Sequence, residues 1–295
     1  MSLVHVLPIL VFLVAGGRTT APVTRSDEPV QPLRIALLSD THTNRRAPYT
    51  DEAAYRGRLD TAIAQINAAR VDAVLIAGDL TEDARPEEMD DFAAQVRGFA
   101  APVRWVPGNH DVGGKKLATR PGVAVTSVRV DQFEKRLGPS WWSASIGSAN
   151  RVRVIGVNAS LLGSGLPEES AQWTFLEKEL GRARAPRTLL LMHYPPFVSS
   201  PDEPGGDYWN IEPAPRARLI ALILQPRARV VGVLSGHLHR WNDTRLGSIR
   251  MLTTPPISFG IPAGPQAEGW TLLTVTPGGG LEAEVRPLRP VNPAP

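Results

Sequence analysis

The side chains able to do chemistry cluster at five places in the chain. Asp40-Thr41-His42, Gly78-Asp79, Gly108-Asn109-His110-Asp111, His193 and Gly236-His237-Leu238-His239 hold every histidine except His5. Asp40, His42, Asp79, Asn109, His193, His237 and His239 are all ligand-type residues. Neutral imidazole, carboxylate and an amide oxygen suit Zn, Mn and Fe. One carboxylate among them can bridge two cations, which stand roughly 3.5–4 Å apart in two-metal hydrolases. His110, next to the candidate ligand Asn109, is a proton carrier that Asp111 can orient. Alone, Gly108 to Asp111 reads equally well as a simple turn; the histidines elsewhere give it weight.

Each cluster follows a short apolar run. Strands are predicted over Leu33 to Leu38, Val71 to Ala77, Val103 to Val106, Leu189 to Met192 and Val230 to Leu234. Continuous apolar runs of this length fit strands buried on both faces. Polar residues just past the C-terminal ends of such strands converge on the crevice of an open α/β sheet. Helices are predicted over Asp51 to Ala69, Pro86 to Phe99 with its Pro in the first turn, Asp131 to Leu137, Glu168 to Leu180 and Pro215 to Leu224. The strand, helix, strand order implies parallel pairing through right-handed crossovers. Trp142 to Ile146 and Val152 to Val157 read as strands joined by a hairpin turn, and Trp241 to Thr254, Trp270 to Val275 and Leu281 to Val285 read as further strands. Gly113 to Thr126 reads as irregular. Tyr194 to Pro215 is a long Pro/Gly-rich segment, a kind more often functional than idle.

With 295 residues and 42% hydrophobic residues, the chain can fill the core of one large α/β domain or two small ones. Its formal net charge is +3 and its pI about 9.5. The basic residues are scattered and not interleaved with aromatics, which weighs against a nucleic-acid-binding surface. The absence of Cys excludes disulfides, thiolate zinc sites and a lipidated N-terminal Cys. The apolar run from Val6 to Ala15 has the length of a signal-peptide core and is too short for a stable membrane anchor. Its flank lacks Lys and Arg, which leaves a disordered N-terminus as the alternative. Residues 1–21 are read as a signal peptide directing export to the periplasm or the exterior. Residues 22–32 are read as a linker, 33–287 as the domain and 288–295 as a Pro-rich tail. There is no internal repeat.

Asp-x-His, Gly-Asp, Gly-Asn-His-Asp, a lone His and Gly-His-x-His, in that order, resemble the calcineurin-like metallophosphoesterases over residues 33 to about 285. Gly-Asp-Leu-Thr-Glu-Asp and Gly-His-Leu-His-Arg are similar to the cyclic-nucleotide phosphodiesterase and purple-phosphatase-like branches. The resemblance implies an α/β fold, a four-layer αββα sandwich of two mixed β-sheets flanked by helices. It places Asp40, His42 and His239 on a first metal and Asn109, His193 and His237 on a second, with Asp79 bridging. The pair would be drawn from Fe, Mn or Zn. The substrate would be a small phosphodiester or phosphomonoester. A water between two cations has its pKa lowered towards neutrality and can attack phosphorus in line. His110 would protonate the departing oxygen, an effect worth about 10²–10⁴-fold, with Asp111 supporting it.

The family's Gly-Asp-x-x-Asp ends here in Glu82, which is expected to support the loop with little effect on the metals. The alternative to an enzyme is a metal-bearing domain without turnover that acts as a binding or structural protein. Asn44, Arg45 and Arg46 are candidates for substrate phosphate or for a solvated loop. Tyr208 and Trp209 either stack on a base or aryl leaving group or pack a lid. Trp141 and Trp142 are read as core, and Asn158 as a residue that holds a loop together.

Overall fold

The computed structural model describes residues 31–45, 52–116, 123–147, 152–182, 187–261 and 267–289. The expected signal peptide, most of the linker, Arg46 and the end of the tail lie outside the described residues.

Strand β1 (Leu33–Leu38) shows how the apolar runs are used. Successive side chains of a strand face opposite ways. Ile35 and Leu37 therefore join Leu75 and Ala77 of β2 (Ala73–Ala77), Leu189 and Leu191 of β6 (Thr188–Met192) and Leu234 of β7 (Val230–Ser235) in a core between two sheets. Ala36 and Leu38 face outward, under α1 (Glu52–Ala69), α2 (Pro86–Gln95) and α4 (Ser127–Leu137), through Ile66, Phe92 and Phe133. On the far side, Leu190 and Met192 of β6 pack under α5 (Pro167–Leu180) and α6 (Pro213–Ile223), against Leu176 and Leu219. Three apolar layers separate helices, sheet, sheet and helices, so the fold is the expected αββα sandwich.

One sheet has the order β11-β10-β1-β2-β3 and the other β4-β5-β6-β7-β9-β8. The strands β1, β2 and β3 (Val103–Val106) run parallel, β10 (Gly269–Val275) pairs antiparallel with β1, and β11 (Leu281–Pro287) pairs antiparallel with β10. In the second sheet β5 (Val152–Val157), β6, β7 and β9 (Ile249–Thr253) run parallel, and β4 (Trp142–Ile146) and β8 (Asn242–Leu246) are antiparallel edges.

Several expectations shift. β3 is not a strand buried on both faces: it is the sheet edge, and of its residues only Val106 is buried while Arg104 is exposed. Helix α4 starts a turn early because the Thr126 hydroxyl caps it, accepting from the Arg129 N–H at 3.3 Å. The segment from Trp241 to Thr254 folds into two strands, β8 and β9, around Gly247 (φ 58°). No helix among the described residues is long and apolar enough to cross a membrane.

Candidate metal centre

All seven candidate ligands lie past the C-terminal ends of β1, β2, β3, β6 and β7, so the site straddles the two sheets. The loops are bound to one another through their backbones. The N–H groups of Asp40, His42 and Thr43 donate to the carbonyls of Gly78, Asp79 and Leu80, each at 3.0 Å. Eight described non-glycine residues have positive φ, and five of them are Asp40 (54°), His42 (48°), Asp79 (49°), His237 (71°) and His239 (50°). Left-handed backbone costs a side-chain-bearing residue of order 1–3 kcal/mol and concentrates at functional sites. Two motif glycines permit the close approach. A Cβ on Gly236 would lie 1.6 Å from Ser39 Oγ, and one on Gly108 would lie 2.1 Å from Asp79 Oδ1.

The candidate ligands form two groups that share Asp79, namely Asp40, His42, Asp79 and His239, and Asp79, His193 and His237; a third cluster of donor atoms, His42, Glu82 and His110, adjoins the first. Asn109 Oδ1, 3.1 Å from His193 Nε2, joins the second. Each of the four histidines has one ring nitrogen held by an oxygen outside the cluster. His193 Nδ1 donates to the Ala77 carbonyl (2.7 Å), His237 Nε2 to the Tyr208 carbonyl (3.0 Å), His239 Nδ1 to the Phe259 carbonyl (2.6 Å) and His42 Nδ1 to the Glu82 carboxylate (2.7 Å). These acceptors fix the tautomers, so the bare nitrogens are the ones turned inward. There they crowd: His42 Nε2 is 3.3 Å from His239 Nε2, and His237 Nδ1 is 3.2 Å from His193 Nε2. Lone pairs, two carboxylates and an amide oxygen converging at such distances are what cations require, and the donor set fits a metal pair.

Burial alone would push the Asp79 carboxyl up, but the charges of His193, His110 and His42 hold it well below the ordinary range. Burial would pull His193 down, yet Asp79 and Asp40 push it up to about 9. Burial, and after it the charge of His193, keeps His237 well below the usual imidazole value. An ionised Asp79 and a neutral His237 are the protonation states that metal binding needs, and a cation held here would take the place of the proton that Asp79 and Asp40 keep on His193.

His110 stands beside the cluster. Its backbone N–H donates to Asp79 Oδ1 (2.9 Å) and its Nδ1 to the Glu82 carbonyl (2.7 Å), while its ring meets His42 edge-on at 4.7 Å. Asp111 does not reach the His110 imidazole. On the short helix α3 (Asn109–Val112) its carboxylate turns back to accept from the N–H groups of Gly108 (2.8 Å), Leu80 (3.1 Å) and Thr81 (2.9 Å). It therefore fastens the loop carrying Asp79 to the loop carrying Asn109. Glu82 does more than support its loop, since it is the residue that orients both His42 and His110.

Of the other candidates, Arg45 is taken up by Asp91 in two hydrogen bonds of 2.6 and 2.7 Å, and the Asn44 amide donates to the His42 carbonyl. Tyr208 and Trp209 lie against His237, with ring centroids at 4.6 and 5.7 Å. Trp141 and Trp142 pack at the margins of the cores. The loop after β5 is held by the Asn158 backbone, which exchanges hydrogen bonds with the Gln172 amide, and not by the Asn158 side chain. Phe259, unremarked in sequence, accepts from His239 through its carbonyl and sets its ring against the imidazole at 4.4 Å, tilted by 43°; its Pro-Pro-Ile-Ser-Phe-Gly setting is only a loop signal.

The sequence profile of the calcineurin-like phosphoesterases matches residues 33–241. The chain is 28% identical over 208 residues to the 3',5'-cyclic adenosine monophosphate phosphodiesterase CpdA of Escherichia coli K12, covering 70% of this chain and 68% of that protein. It is 28% identical over 225 residues to a probable glycerophosphodiester phosphodiesterase, GpdQ, of Arcobacter nitrofigilis, covering 74% and 76%. In fold it resembles the purple acid phosphatase PPD1 of yellow lupin, with a TM-score of 0.61 at 18% identity over 87% of this chain and 52% of that one. With those motifs on this sandwich, the chain belongs to the calcineurin-like phosphoesterase family and is a hydrolase of phosphoric esters built around a dinuclear metal centre.

Proposed function

We propose that the protein hydrolyses a small-molecule phosphodiester, with Asp40, His42 and His239 holding one metal, Asn109, His193 and His237 the other, and Asp79 both. The observation that carries this is the outward tethering of one nitrogen in each of four histidines, which leaves the bare nitrogens around a shared carboxylate. The relatives named as phosphodiesterases support a diester as substrate. Fe, Mn and Zn all suit these N/O ligands. A bound cation pair supplies Lewis-acid neutralisation of the phosphoryl oxygens and a nucleophile near neutral pH.

The remaining work falls to the chain. The Glu82 carbonyl holds His110 Nδ1–H, so the proton that His110 delivers to the leaving oxygen comes from Nε2. Asp111 keeps the Asp79 and Asn109 loops in register. The leader of residues 1–21 makes export our reading of localisation, checked by the N-terminal mass of protein recovered from the producing cell. The function is tested by loading the protein with Mn²⁺, Zn²⁺ or Fe²⁺, counting bound metal and assaying bis(4-nitrophenyl) phosphate in the same sample. Turnover with two ions per chain is expected. Bound ions without turnover for any metal would favour a binding protein instead.

A further inference from the structure

Beside His110 a cleft of about 380 Å³ opens, with Asn109, Glu82, Asp83, Tyr208 and Arg129 in its walls. On the reading above, His110 donates to the leaving oxygen, so whatever fills this cleft is the leaving group. Its charges are unevenly spent. The Glu82 carboxylate is engaged by His42 Nδ1 at 2.7 Å, and Asp83 is paired with Arg85 at 2.8 Å. Arg129, on the first turn of α4, uses its backbone N–H on Thr126, and its guanidinium has no hydrogen bond or ion pair among the described residues. Arg136 on the same helix meets Asp90, while Arg97 and Arg245, like Arg129, are exposed with no such partner among the described residues; what sets Arg129 apart is its place in the cleft wall. Val123 and Ala84 add apolar wall to the cleft.

We propose that Arg129 is a specificity-determining residue that selects phosphate esters whose leaving group carries a second anionic group, a carboxylate or phosphate, on an organic body that fills the cleft. A guanidinium fork matches such a group in geometry and charge. The inference rests on the phosphoesterase reading and on His110 facing the leaving group.

The test compares two diesters of the same shape, methyl 3-carboxyphenyl phosphate and methyl 3-carbamoylphenyl phosphate, on the metal-loaded protein. The wild type should favour the carboxylate, chiefly through KM. Arg129→Gln should slow the carboxylate probe about tenfold more than the amide probe, the low end for a charge-assisted contact in an open cleft. Arg129→Lys should recover part of the preference, and added salt should erode it. No preference in the wild type, or equal slowing of both probes by Arg129→Gln, would overturn the proposal. If bis(4-nitrophenyl) phosphate is not hydrolysed either, the phosphoesterase reading itself fails and takes the inference with it.

Discussion

The two halves of the metal centre are held by different means. Asp40, His42 and His239 are braced from the sheets' own connections. The loops after β1 and β2 are bonded backbone to backbone, Ser258 N–H donates to the Asp40 carbonyl, and Glu82 and Phe259 fix the two imidazoles. The second half shares braces of that kind: the Ala77 carbonyl accepts from His193, the Gly236 N–H donates to the His193 carbonyl, the His237 N–H donates to the Asp40 carboxylate, and Asp111 ties the Asn109 loop to Leu80 and Thr81. What this half has in addition is the strap of residues 194–212: Tyr208 accepts from His237 through its carbonyl and from the Asn109 amide through its hydroxyl at 3.1 Å. The strap contains no helix or strand and is tied by side chains. Glu203 accepts from the N–H groups of Val198 (2.7 Å), Ser199 (2.9 Å) and Ser200 (3.3 Å), and buried Lys115 pairs with Glu212 at 2.8 Å. The two ion sites should therefore be separable in affinity, the first set by the sheet loops alone and the second by those loops and the strap together.

Only Asp79 belongs to both halves, and its replacement should have the largest effect. Asp79→Ala is expected to lose activity entirely and to retain less than two ions per chain by metal analysis; near-normal turnover with two ions would break the shared-carboxylate picture. His110→Ala comes next, because it lies outside both ligand sets. It should keep both ions while losing about 10²–10⁴-fold in kcat on an alkyl ester, and far less on a nitrophenyl ester that leaves without a proton. Loss of a metal from this variant would make His110 a ligand.

That the seven candidate ligands meet was legible in sequence because each follows an apolar run whose end the structure also marks, whereas the two-sheet sandwich was implied by the resemblance to the metallophosphoesterases. What escaped is set by contacts across the chain. Asp111 adjoins His110, yet a helical turn aims it back at Gly108, Leu80 and Thr81. Glu82 reaches His42 only because the loops after β1 and β2 are stitched together. β3 looks like an interior strand by composition, but sheet order makes it an edge, and no local pattern reports sheet order.

Glu82 provides the third test. Removing an outer partner of a ligating histidine typically costs about 10–100-fold in metal affinity or activity. Glu82→Ala should weaken the first ion by that amount and leave the second close to its wild-type affinity, as read by calorimetric titration of the metal-free protein. Equal weakening of both would show that the halves are not independently braced.

The strap offers the smallest effect and the sharpest test of its own half. Burial would raise the Glu203 carboxyl, but the N–H groups of Ser199, Val198 and Ser200 and the Asn210 amide lower it from 4.5 to about 2. Its folded pKa is thus depressed, so the stabilisation it gives is fully present above about pH 4.5 and is lost as the pH falls through 2. Glu203→Gln removes the charge at every pH. Amide exchange at Val198, Ser199 and Ser200 should be about fivefold faster in this variant at neutral pH, a modest share of what charged hydrogen bonds supply. The second ion should weaken by a similar factor while the first is untouched, since the rings of His42 and His239 are held by Glu82 and Phe259 and not by the strap. The difference from wild type should persist down to pH 3, where an ordinary carboxylate would already be protonated. A difference that fades by pH 4.5 would mean that the backbone amides do not hold this carboxylate and that the strap is tied by Lys115 and Glu212 instead.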